Sequence, residues 1–202
     1  MGARWVLRRR CPWTDWREGA RVDVPGIGPL RLDESLDWYY SDAVRLVGLE
    51  GIVGHVVLTE GYLADDDKPA FHDAIAEFLA INEDTLRAAS ADVFDYYLDT
   101  FRIDREQGWG LDLPEIPDPD SVWDYVSFGT AFHFGRDQRR RSHVFASVEC
   151  ECAWEREHGL QIVLRDGRTI SKVGPYDGHL TNADAYADDR LDAVVYVSPF
   201  AL

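Results

Sequence analysis

Apolar and polar residues alternate along 20–32, "ARVDVPGIGPLRL", on both sides of a Pro-Gly-Ile-Gly-Pro interruption. A period of two around a Gly/Pro-rich break predicts a β-hairpin. "VRLVGL" (44–49) and "IVGHVVLT" (52–59), broken by Glu50-Gly51, predict a second hairpin or a bent strand pair. The period then changes. In "DDDKPAFHDAIAEFLA", Phe71, Ile75, Phe78 and Leu79 recur at i, i+4, i+7 and i+8, one face of an amphipathic helix. Asp66 or Asp67 can cap that helix, and Pro69 suits its first turn. Asn82 is expected to cap a second helix with a stripe of Leu86, Ala89, Val93, Tyr97 and Phe101.

"GWGLDLPEIPDPDS" (108–121) is rich in Gly, Pro and Asp and reads as a surface crossing. Beyond it the chain is β-rich. "VWDYVSFGTAFHF" (122–134) and "HVFASVECECAW" (143–154) flank a basic loop and predict a long hairpin. "LQIVL" and "TISKVG" flank Arg165-Asp166-Gly167-Arg168, a strong short-hairpin signal. The stretch 174–192 reads as an acidic loop with a short helix from Asn182, and "AVVYVS" (193–198) as a last strand. Together these elements predict a single α+β domain over 1–202, with antiparallel hairpins and sheet packed against two amphipathic helices.

"CECAWEREHGLQIV" (150–163) is the densest stretch. Val144, Ala146, Val148, Cys150, Cys152 and Trp154 all fall on even positions, so on a strand they share one face. The cysteines therefore continue a buried row, and Glu149 and Glu151 point to solvent. Zinc is the competing reading, but a structural site needs four ligands, and the third cysteine, Cys11, is far off in sequence. After Trp154 the strand must turn, and Gly159 permits a backbone that other residues avoid. Glu157 and His158 then form a polar corner. The alternative makes His158 a general base oriented by a carboxylate; no nucleophile or H-E-x-x-H spacing accompanies it. The candidate binding residues are Trp154, Glu155, Asp177 and His179. The last two join Glu155, Glu157 and His158 in one site if the loop after 174 folds back on the corner. Such a site would suit a metal-dependent hydrolase, although Asp177-Gly178-His179 lacks calcium-loop spacing. No cofactor is expected. Trp38, Tyr39, Tyr40, Tyr96 and Tyr97 could instead line a small-molecule pocket of a regulatory domain, but aromatics at such spacing more often form core.

Charge narrows the partners. The 202 residues carry 21 Lys+Arg against 37 Asp+Glu, a net −16. Such a surface repels nucleic acid and attracts a basic protein, although the commoner cause of such acidity is solubility alone. No apolar run reaches 18 residues, so no membrane partner is expected. Three cysteines and no secretory leader point to the cytoplasm. Lys68 and Lys172 are the lysines of an arginine-rich chain, a bias of GC-rich bacterial coding.

Around Cys152-Ala153-Trp154-Glu155-Arg156-Glu157-His158-Gly159-Leu160 the chain resembles bacterial domains of unknown function. These carry a C-x-W-[D/E]-x-E-H-G-[L/I] core, then a strand, a turn and a VG-x-x-D segment, here Val173-Gly174-Pro175-Tyr176-Asp177. The resemblance spans 20–180 and is specific over 152–177, with Ala153 where a polar or acidic residue is common. It implies an α+β fold, a cytoplasmic bacterial protein, no established activity, and a loose likeness to immunity proteins that neutralise secreted toxins.

Overall fold

A computed structural model describes residues 21–137 and 142–201. The first hairpin forms as the alternation predicts: β1 (Arg21–Val24) pairs with β2 (Gly28–Asp33), and Gly26 and Gly28 take positive φ. β3 (Trp38–Tyr40) follows, then β4 (Val44–Arg45) and β5 (Val53–Leu58) pair around Gly51.

The helical block is α1 (Glu60–Ala64), α2 (Lys68–Leu79), α3 (Glu83–Arg87) and α4 (Ser90–Gln107). Asp67 caps α2, with Pro69 in its first turn. Asn82 caps α3 through a reciprocal bond with Thr85. The expected second helix is thus two helices, divided at Ala88-Ala89. The break leaves the apolar stripe intact, since Leu86, Ala89, Val93 and Tyr97 are all buried.

After the surface crossing, residues 119–125 form a 3-10 helix and not the expected strand. Pro119 fixes its first turn, and the Asp118 carboxylate accepts bonds from the Ser121 amide and hydroxyl. Its Trp123 donates to Ser90 Oγ at the start of α4. Then come β6 (Val126–Ser127), β7 (Ala131–Gly135), β8 (Phe145–Cys152), β9 (Leu160–Arg165) and β10 (Thr169–Gly174). β7 and β8 pair as a hairpin; part of the basic loop between them lies outside the described residues. The β9–β10 turn places Asp166 and Gly167 at positive φ. It sits so close to α2 that a Cβ on Gly167 would lie 1.9 Å from the Ala74 carbonyl.

The strands make one sheet in the order β1-β2-β3-β5-β7-β8-β9-β10, with β4 beside β5 and β6 beside β8. The sheet is mixed: β5 and β7 run parallel, joined by a crossover that contains the helices. Leu30, Val56, Leu58, Phe132, Phe134, Ala146, Val148, Ile162 and Leu164 face the helices and fill the main core. A short α5 (Asn182–Ala185) begins at Asn182, with Thr181 as its cap.

Residues 193–198 are not a strand. The Asn182 side-chain amide takes the carbonyls of Val194 and Val195, and the Val173 amide bonds Val195 O. The chain then passes to α4, where Tyr196 meets the Tyr96 ring and donates to Asp99, and Phe200 lies under Arg102. A segment that rounds the sheet edge in this way cannot continue a ladder.

Candidate functional site

The corner is built by β8. Val144, Ala146, Val148, Cys150, Cys152 and Trp154 are all buried, while Glu149 and Glu151 are exposed, as the even-position register requires. Phe145 and Ser147 are buried too, on the opposite face, where Arg165 lies over the Phe145 ring and Gln161 donates to Ser147. Both thiols are free. Burial pushes each up to about 12, and Cys152 Sγ donates to the Glu155 carbonyl. Among the described residues, the metal-capable group of ligand atoms is Glu155, Glu157 and His158, without a thiol.

Buried thiols of this kind set a pH dependence. Between about 9 and about 12 the unfolded thiols ionise while the folded ones keep their protons. The unfolded state then binds fewer protons, so stability falls as pH rises through that window. Native protein at pH 8 should therefore modify slowly at Cys150 and Cys152 and rapidly in denaturant. Peptide mapping after a timed alkylation reads this, and fast native labelling of both would place the register wrongly.

Past Trp154 the chain turns around Glu155. Its carboxylate accepts the backbone amides of Glu157 (2.9 Å) and His158 (2.6 Å), and His158 Nδ1 lies 3.4 Å from the same group. Gly159 has φ 64°, and a Cβ there would lie 2.5 Å from the Cys150 carbonyl. Tyr96 of α4 donates to the Gly159 carbonyl, and the Tyr96 and Tyr97 rings pack edge-on to Trp154. Glu155 is thus committed to its own turn. Glu157 and His158 are exposed on its outer side.

The loop after Gly174 does fold back: the Tyr176 amide bonds the His158 carbonyl at 3.3 Å. Its side chains go elsewhere. Asp177 pairs with the buried Lys172 ammonium and accepts the His179 amide, and His179 Nδ1 lies 3.0 Å from Asp184. Asp177 and His179 therefore do not join the Glu155, Glu157 and His158 group.

Lys172 is the polar centre that the sequence does not reveal. Only 2 % exposed, it donates to Gln161 Oε1 (2.9 Å), the His179 carbonyl (3.1 Å) and Asp177. Gln161 in turn donates to Ser147 and to the same carbonyl. Three acceptors surround Nζ, and a neutral amine has only two hydrogens to offer, so the geometry is that of an ammonium. Burial pulls its pKa below the ordinary lysine value, and Asp177 opposes that pull. Simple alternation would place Lys172 on the core side with Ile170. A register shift between Ile170 and Lys172 pairs Lys172 with Val163 and turns it to the opposite face.

A family described as "Domain of unknown function (DUF6985)" matches residues 26–180, a span that contains β2 to β10, the corner and the Lys172 cluster. The chain belongs to this family. Membership in DUF6985 brings no activity with it. Neither a curated protein nor a solved structure matches the chain.

A second surface lies on the crossing after α4. Between Arg105 and Arg136 the sequence has no Lys or Arg. Asp112, Glu115, Asp118, Asp120 and Asp124 are all exposed there, as are Trp109 (62 %) and Leu111 (51 %). The backbone beneath them is fixed. Gly108 ends α4 in the left-handed conformation, and Asp104 accepts the Leu111 amide. Tyr97 Oη donates to the Pro114 carbonyl and accepts the Ile116 amide. The result is an acidic strap held against α4, displaying an indole and a leucine.

Proposed function

We propose that this protein is an acidic protein-binding module that engages a basic partner through the strap 108–124. The observation that supports this is the exposed Trp109–Leu111 pair on a fixed backbone, in a segment that has five exposed carboxylates and no Lys or Arg in its sequence. Exposed indoles on ordered backbone are the residues that anchor interfaces, since little conformational freedom is lost when they bury. The surrounding carboxylates speed the encounter and select a partner of opposite charge. A toxin held in check by an immunity protein of the bacterial cytoplasm is one such partner. The Glu155 corner fits a metal-dependent or regulatory site less well, because its best-placed carboxylate already satisfies two backbone amides.

Affinity capture from the source cells tests the reading. The wild-type chain should retain a basic protein that elutes as salt is raised. Asp112→Lys/Asp120→Lys, at positions that make no capping bond, should lose it while unfolding at the same midpoint. Retention of the same protein by wild type and variant would remove the strap from the account.

A further inference from the structure

The charge of this chain is segregated. Residues 1–20 hold Arg4, Arg8, Arg9, Arg10 and Arg17 against Asp15 and Glu18, together with Trp5, Trp13 and Trp16. Their net charge is +3, which leaves −19 on residues 21–202 out of the total of −16. The segment thus has the two properties that the strap selects for, positive charge and large apolar rings.

We propose that residues 1–20 are the strap's internal ligand, with Arg8-Arg9-Arg10 against its carboxylates and a neighbouring tryptophan against Trp109 and Leu111. The proposal rests on the reading of the strap as a binding surface and adds its regulation: an outside partner must displace the segment. Reach allows this. Twelve residues separate Arg8 from Arg21 on the edge strand β1, a span of up to about 40 Å, the width of a domain this size. Tethering also gives the segment an effective concentration on the order of millimolar, enough for a modest intrinsic affinity to fill the site.

The test uses the full chain. Cys11 lies within the segment, and the other two thiols are buried and pushed up to about 12, so a nitroxide can be directed to Cys11. With the label in place, the NMR signals of the Trp109, Gly110, Leu111, Asp112 and Asp120 amides should lose intensity selectively. They should regain it on reduction of the nitroxide, in high salt and in Arg8→Glu/Arg9→Glu/Arg10→Glu. Loss at other surfaces only, or at none, overturns the proposal. So does loss that appears when labelled chain is mixed with separate isotope-enriched chain, which would put the segment on a second copy. The two ideas fail separately: an empty strap leaves outside binding intact, whereas a segment-filled strap whose substitution leaves partner capture unchanged removes only the outside partner.

Discussion

Asp177→Ala is expected to cost about 3–5 kcal/mol, more than Lys172→Met, although the two residues form one ion pair. The asymmetry follows from burial. The Asp177 side chain is 36 % exposed and that of Lys172 is 2 %. Removing Asp177 strands an ammonium away from water. Removing Lys172 leaves a carboxylate that water can reach and one neutral acceptor, Gln161 Oε1, without the lysine's bond, while the His179 carbonyl keeps its bond from the Gln161 amide. That lesser loss is about 1–3 kcal/mol. The double variant should accordingly be more stable than Asp177→Ala alone, because no charge remains to be buried.

pH gives the same argument a sign. A buried lysine has its pKa held below the ordinary 10.5, and without Asp177 it falls further. Between the folded value and 10.5 the unfolded chain binds more protons than the folded one, so stability rises with pH. Asp177→Ala should therefore recover part of its loss as pH is raised, and the double variant should not. Urea unfolding of the four proteins across pH measures both effects. An Asp177→Ala variant within 1 kcal/mol of wild type at neutral pH would mean that the clasp does not depend on the pair.

Trp154→Ala should be comparably severe, about 3–5 kcal/mol, with a lowering of Tm on the order of 10 °C. Trp154 is 1 % exposed and wedged between Tyr96 and Tyr97 of α4 and the end of β8. Truncation opens a cavity where the corner meets the helices. Trp154→Phe should cost far less, about 1–2 kcal/mol. The smaller ring loses packing, but among the described residues the indole Nε1 has no hydrogen-bond partner, so its removal also takes away an unsatisfied donor. Thermal unfolding of the two variants separates the roles. If Phe were as damaging as Ala, the indole nitrogen would be making a contact that matters.

Local patterns revealed much of this fold. Period two gave the β1–β2 hairpin, the Asp166-Gly167 turn gave β9–β10, period 3.6 gave α2, and the even register of β8 placed both cysteines and Trp154 on the buried face. Properties of the whole chain were not legible. The parallel pairing of β5 with β7 depends on a crossover, and no residue in either strand encodes it. The apolar run 193–198 reads like a strand, yet its Val194 and Val195 carbonyls accept from the Asn182 side chain at the start of α5. Lys172 was hidden by a one-residue register shift, although a lone lysine in an apolar strand of an arginine-rich chain was a signal to follow. At the corner, sequence brought Glu155, Glu157 and His158 together correctly. It could not show that Glu155 is spent on its own turn, or that Asp177 and His179 answer to Lys172 and Asp184. Trp109 lay inside a stretch that composition marks only as a crossing, and its exposure is a property of the folded surface.

The most direct test sets the strap against the corner in one titration. With the captured partner purified, binding is measured calorimetrically for wild type, Trp109→Ala and Glu157→Gln/His158→Ala. If the strap binds and the corner is architecture, Trp109→Ala weakens the complex by about 2 kcal/mol or more, roughly thirtyfold in Kd. The corner variant should then stay within about twofold of wild type, a difference below 0.5 kcal/mol. The reverse pattern, with full affinity in Trp109→Ala and loss in the corner variant, would contradict the account and make Glu157 and His158 the binding site.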